Sequence, residues 1–206
     1  MMRGEQPFAA TPVFESFRER CRDSREYQGH GWGAAWRSSG AWSRYRSLTP
    51  IWDDDPELPS EVDFLVVHAR SAFRDEGITI ENNMPFYRGE RVFVFNGELR
   101  GVRLRVPGRI GAEKIFNLIN ERDGRDAGDL DSAVAAADSL LVSKSERVRA
   151  MNLALTDGDR IYASCRFTES PDYFTLHYRE GALAAVCSER LDKSFVPMAS
   201  GERRVI

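Results

Sequence analysis

Val92-Phe93-Val94-Phe95 constrains the fold more than any other stretch: four consecutive β-branched or aromatic residues, followed at once by Asn96-Gly97. Such a run reads as a buried strand, and Asn-Gly as its abrupt stop, because both residues tolerate positive φ. A longer run, Val62-Asp63-Phe64-Leu65-Val66-Val67-His68, is apolar almost throughout and belongs in the middle of a sheet, covered on both faces. It leads into His68-Ala69-Arg70-Ser71-Ala72. Both strands therefore end in polar motifs after apolar runs, which gathers chemistry at strand ends. Asn96-Gly97 has two readings. One is a plain turn. The other is a pair of donors, a side-chain amide and a backbone N–H, aimed at one point as an oxyanion hole requires.

Around these strands the chain alternates legibly. Thr11-Pro12 predicts a helix start, with Thr as N-cap, and residues 13–22 carry Phe14, Phe17 and Cys21 on one face. Residues 1–10 show no pattern. Gln28-Gly29-His30-Gly31-Trp32-Gly33 holds three glycines in five residues, which permits close backbone approach, and Ala34-Ala35-Trp36 continues as a strand. Residues 38–59 read as a long loop, and so do residues 77–88, which include Asn82-Asn83-Met84-Pro85-Phe86. Helices are predicted over 112–122, with Ile115, Leu118 and Ile119 on one face, and over 130–143, with Val134, Ala137 and Leu141 inward. Four strands follow over 151–156, 160–167, 173–178 and 182–187, with hairpin signals at Asp157-Gly158 and Glu180-Gly181 and a final edge strand in the last residues. Strands, helices, then a meander of strands predict an α+β fold with antiparallel sheets and helices packed on their outer faces.

Composition narrows the class of function. The 206 residues suit one domain, 1–206, with a sizeable core. Lys and Arg number 29 against 32 Asp and Glu, with the signs mixed, so neither a nucleic acid nor an anionic membrane is an expected partner. No apolar run approaches the roughly 18 residues that span a bilayer. Cys21, Cys165 and Cys187 are few, odd in number and without metal-type spacing, which points to a reducing cytoplasm and to no metal site. No cofactor motif is present.

Six fragments stand in order: His30-Gly31-Trp32-Gly33, His68-Ala69-Arg70-Ser71-Ala72, Asn83-Met84-Pro85-Phe86, Phe95-Asn96-Gly97, Asn152-Leu153-Ala154-Leu155-Thr156-Asp157-Gly158 and Ser188-Glu189-Arg190-Leu191. Together they resemble the class II glutamine amidotransferase domain of the N-terminal-nucleophile hydrolases. The nearest group is the stand-alone one that includes the γ-glutamyl amidohydrolase of ergothioneine synthesis. The resemblance implies a four-layer αββα sandwich, two antiparallel sheets between helical layers. It implies a mechanism in which an N-terminal Cys thiolate attacks a side-chain amide with its own α-amino group as base. Arg70 would then hold the α-carboxylate of glutamine or a γ-glutamyl compound, and Asn96 with Gly97 would form the oxyanion hole. Gly31, Trp32 and Gly33 would shape the substrate pocket, and a synthetase is a possible partner. For Arg70 the alternative is a strand-end ion pair; the resemblance favours a guanidinium that faces an open cavity. For Gly31-Trp32-Gly33 the alternative, a tight bend with a core Trp, is compatible with the first reading.

The sequence also departs from that pattern. Residue 2 is Met where the family has Cys, so this chain carries no nucleophile. Only Met1-Met2-Arg3 stands where family members place an apolar strand, so the N-terminal strand is expected to be incomplete. Either the start lies too far downstream or the protein is an inactive relative. Cys21, Cys165 and Cys187 are expected to be inert, Cys21 on a helix's apolar face and the others in strands. Gly111 replaces the Asp that would bind the substrate amine, and Met84 replaces a His. Two functions follow: an amide-cleaving domain, or a non-catalytic carboxylate-binding module that serves as a regulatory partner.

Overall fold

A computed structural model of the protein describes residues 1–72, 75–125 and 129–206. Two antiparallel sheets, one of seven strands and one of five, carry the fold together with four α-helices among the described residues. The α+β class with two antiparallel sheets is therefore as expected. The chain divides into two compact units, residues 1–92 with 180–185 and residues 93–179 with 186–206.

In the first unit β1 (Met2–Ala9), α1 (Ala10–Arg22), β2 (Trp32–Ser38), β3 (Ala41–Ser47), β4 (Glu61–Ala69) and β5 (Phe86–Arg88) follow one another. Strand β4 lies between β1 and β2, and Val62, Phe64, Leu65 and Val66 are buried, so the apolar run takes the central place expected of it. The sequence showed no pattern over residues 1–10, yet β1 pairs with β4 on one side and with Leu183–Ala185 on the other. Two backbone ladders hold it, and these need no apolar alternation. A register shift between Arg3 and Phe8 further scrambles its two-residue period. Helix α1 starts at Ala10, with Ala9 as an N-cap that makes no side-chain bond. Thr11 is therefore inside the helix, and Pro12 falls in the first turn, where its missing N–H is not needed.

The expected loop over 38–59 is instead a hairpin followed by a 3-10 turn, Ile51–Asp53. Ser39 and Gly40, both at positive φ, join β2 to β3 with Ser38 opposite Ala41. Strand β3 is the sheet's edge and carries Ser43, Arg44 and Arg46, so its polar composition hid it. Opposite that edge, α1 closes a core of Phe14, Cys21, Trp32, Ala34 and Ile51.

The second unit holds most of β6 (Arg91–Arg100), then α2 (Gly111–Arg125), α3 (Leu130–Lys144), β7 (Arg147–Thr156), β8 (Ile161–Cys165), α4 (Pro171–Phe174) and β9 (His177–Arg179). Of the remaining strands, β10 (Leu183–Cys187) is shared with the first unit, and β11 (Val196–Pro197) and β12 (Glu202–Val205) end the chain. Strands β12, β8, β7 and β6 lie in that order, so the last residues do form an edge strand. The strand expected over 173–178 is split: Tyr173 and Phe174 N–H groups donate to the Ser170 carbonyl and close a helical turn after Pro171, leaving only His177–Arg179 extended. Helix α3 is tied to the sheet by Asp138, which pairs with Arg166 at 2.7 Å and accepts from the Ser164 hydroxyl at 3.1 Å.

The Asp157-Gly158 hairpin forms as expected, with Thr156 opposite Ile161 and Gly158 at φ +101. The Asp157 carboxylate accepts from the backbone N–H groups of Asp159 (2.9 Å) and Arg160 (2.8 Å) and from the Tyr162 hydroxyl (2.8 Å). Burial pushes this carboxyl up, but those donors outweigh it and hold Asp157 below the ordinary range. A depressed folded-state pKa stabilises the fold above the unfolded pKa, and the benefit disappears as pH falls through the folded value. Asp157→Ala should therefore lower unfolding free energy at pH 7 by about 2 kcal/mol. In urea titrations the gap to wild type should narrow below about pH 4.

Candidate functional site

Trp32 pairs with Ala69, so the glycine-rich segment before β2 lies beside the residue that follows β4. The Arg70 N–H donates to the Gly31 carbonyl (2.9 Å) and the Arg70 carbonyl accepts from the His30 N–H (3.1 Å). The structure thus brings Arg70 together with Gly31, Trp32 and Gly33. Alternate residues of a strand face opposite sides. Gly31 and Gly33 turn one way, and any Cβ there would meet Asn83 Nδ2 at 2.3 Å and the Met84 carbonyl at 2.5 Å. Their missing side chains are what allow the 83–84 segment to lie against the sheet. Trp32 turns the other way into the core, packed on Phe14 and Tyr45, and its indole N–H donates to Asp54 (2.9 Å). The core-Trp reading is correct in geometry, and Trp32 shapes the region from behind the strand.

Arg70 is buried, at 7% exposure. Its Nη1 donates to the Gly77 carbonyl (2.8 Å) and its Nη2 to the Glu76 carbonyl (3.4 Å), and among the described residues no carboxylate pairs with it. Among the described residues the alternative of a strand-end ion pair is not formed. Where an open cavity was expected, the Gly77 and Glu76 carbonyls accept from the guanidinium. Burial pushes the Arg70 pKa down from its ordinary value. Arginine nevertheless stays charged at neutral pH. A buried cation whose described partners are neutral carbonyls has unspent capacity for an anion.

Sequence reasoning missed three neighbours. Asn82 Nδ2 donates to the same Gly77 carbonyl (3.0 Å), and Asn83 Nδ2 donates to the Ser47 carbonyl (2.8 Å). Both amides are buried, yet among the described residues the Oδ1 of each finds no hydrogen-bond partner. His30, given no role from the sequence, accepts the Ala72 N–H at Nδ1 (2.9 Å) and meets Asp75 through Nε2 (3.3 Å). For the two asparagines the sequence signal was a pair of amides in a segment bounded by Gly77 and Pro85, and for His30 its place in the His30-Gly31-Trp32-Gly33 fragment.

Asn96 and Gly97 belong to the second unit. They do not end their strand: β6 continues to Arg100, and neither residue has positive φ. The plain-turn reading is thus overturned. The reason for glycine lies in the sheet, since a Cβ at Gly97 would sit 2.2 Å from the Ala150 carbonyl oxygen of β7. Gly111 opens α2 with empty space where a Cβ would go, and Met84 is buried. Cys21 and Cys165 are buried and Cys187 is half-buried. The Cys165 thiol donates to the Phe174 carbonyl (3.8 Å), and burial pushes its pKa up, so it is a poor nucleophile.

The fold is similar to that of several solved glutamine amidotransferase structures. A glutamine amidotransferase class-II domain protein from Silicibacter pomeroyi matches 100% of this chain and 92% of its own at 19% identity, with a TM-score of 0.65. A predicted glutamine amidotransferase from Pseudomonas aeruginosa matches 85% of this chain and 83% of its own at 17% identity, TM-score 0.59. Glutamine phosphoribosylpyrophosphate amidotransferase from B. subtilis covers 100% of this chain at 16% identity and TM-score 0.71, and the likeness takes in 46% of that larger chain. No family model matches the sequence, and no curated protein does. Among the described residues no helix is long and apolar enough to cross a membrane.

Proposed function

We propose that this chain is a glutamine amidotransferase-type domain that recognises glutamine or a γ-glutamyl compound through its α-carboxylate. The observation that carries the reading is Arg70: a buried guanidinium at the end of a central strand, with no carboxylate partner among the described residues and only the Gly77 and Glu76 carbonyls on it. A carboxylate accepts charge-assisted bonds in a planar fork, which a carbonyl cannot match. Asn96 and the Gly97 N–H are assigned as the oxyanion hole. Gly31, Trp32 and Gly33 shape the pocket wall. In such a domain a thiolate attacks the side-chain amide carbon, the C–N bond breaks to release ammonia, and water hydrolyses the thioester. The chain's motifs resemble those of the stand-alone γ-glutamyl amidohydrolases of the ergothioneine type, and the proposed function places it with them. The setting proposed is cytoplasmic, with a synthetase as a possible partner and no part for nucleic acid, membrane, metal or organic cofactor.

A second reading takes the same Arg70 site as the whole of the function, in a non-catalytic carboxylate-binding or regulatory module of this fold. Both readings share the Arg70 site, and calorimetry with L-glutamate tests it. Wild type should bind, and Arg70→Lys, which keeps the charge but loses the fork, should bind about tenfold more weakly. Arg70→Ala should not bind measurably. Equal affinity in all three proteins would remove the site.

A further inference from the structure

We propose that Asn82 is a second recognition point beside Arg70, a neutral acceptor for the N–H on the α-nitrogen of the ligand, so that the site favours α-carboxylates whose nitrogen is acylated. This deepens the Arg70 reading and rests on it. Two independent observations meet here. The first is that Asn82 and Arg70 converge on one atom: Asn82 Nδ2 at 3.0 Å and Arg70 Nη1 at 2.8 Å both donate to the Gly77 carbonyl. The second is that Asn82, at 6% exposure, has a buried Oδ1 without a hydrogen-bond partner among the described residues. Leaving such an acceptor unmade is costly, and folded proteins satisfy nearly all of them. The partner is then expected to arrive with the ligand.

The chemistry of that partner follows from what surrounds it. An amide oxygen accepts and does not donate, so the ligand group must carry N–H or O–H. The carboxylate that replaces the Gly77 carbonyl on Arg70 balances the one buried cation, which leaves the site neutral. A free ammonium would add a charge, and the Asp75 carboxylate, two residues before Gly77, is exposed and engaged with His30. An acylated N–H adds a donor and no charge.

Titration calorimetry with three ligands tests this on the whole chain: N-acetyl-L-glutamine, L-glutamine, and glutaramate, which keeps the carboxylate and the amide but has no α-nitrogen. Wild type should bind N-acetyl-L-glutamine about tenfold more tightly than glutaramate, with L-glutamine no tighter than the acetylated ligand. Asn82→Ala should abolish the difference between N-acetyl-L-glutamine and glutaramate. Asn82→Asp, which supplies a negative charge, should reverse the order in favour of L-glutamine. Equal binding of glutaramate and N-acetyl-L-glutamine by wild type overturns the inference while leaving Arg70 as a carboxylate site. Binding of none of the three overturns both.

Discussion

A chain beginning Met1-Met2 releases no ammonia from L-glutamine above background, and a form extended at its N terminus to begin with Cys gains that activity. The first half follows from chemistry: without thiol, hydroxyl or comparable nucleophile at the terminus there is no covalent route. The second half follows from register. Met2 lies opposite Leu65, and β1 runs antiparallel to β4, so extending β1 backwards leads towards Ala69 and Arg70. Ala69 is four residues beyond Leu65 along β4, so a Cys placed about four residues ahead of Met2 would come level with it. In that extended form Asn96→Ala should lower kcat by about 10²–10³ with little change in KM, the usual cost of one oxyanion-hole donor. Ammonia release by the 206-residue form itself, lost in Asn96→Ala, would contradict this account.

Gly31→Ala should lower stability by about 3 kcal/mol or more, which for a chain of this size moves Tm down by roughly 6–12 °C. Two costs combine. Gly31 has φ +98, a conformation L side chains rarely adopt, and its Cβ would stand 2.6 Å from the Ser47 carbonyl, a backbone atom that cannot swing away. The same Cβ would lie 2.3 Å from Asn83 Nδ2, which donates to that carbonyl, so the bond holding the 82–85 segment would be broken as well. Gly111→Ala is the control: nothing lies within 4 Å of its Cβ position and it sits in a helix, so it should be neutral or stabilising by up to about 1 kcal/mol. Thermal unfolding monitored by circular dichroism measures both. A Tm for Gly31→Ala equal to wild type would mean that residues 82–85 do not pack against β2.

What the sequence disclosed depended on whether side-chain pattern or main-chain pairing formed each element. The apolar run 62–68, the helices near 112–122 and 130–143 and the Asp157-Gly158 hairpin were legible because burial or turn chemistry is written in their residue types. Strand β1 was not, because backbone ladders on both sides hold it, and β3 was not, because an edge strand is free to be polar. Asn96-Gly97 misled for a different reason. Glycine there answers a neighbouring carbonyl, not a turn, and one sequence cannot distinguish close approach from positive φ. Arg70 was legible as the polar end of an apolar central strand. Its cover of two carbonyls and its neighbour Asn82 were not, since main-chain acceptors and an unpartnered amide oxygen have no sequence signature.

The central proposal is that Arg70 is a carboxylate site whose guanidinium donates to the Gly77 and Glu76 carbonyls in the absence of ligand. Two-dimensional NMR of the ¹⁵N-labelled chain titrated with N-acetyl-L-glutamine tests it directly. The account predicts saturable shifts in the Arg70 guanidinium N–H groups, the backbone around Gly77 and the Asn82 side-chain amide, as the ligand carboxylate displaces the Gly77 and Glu76 carbonyls. Saturable binding that leaves those three signals unmoved, or no binding at millimolar ligand, would contradict it.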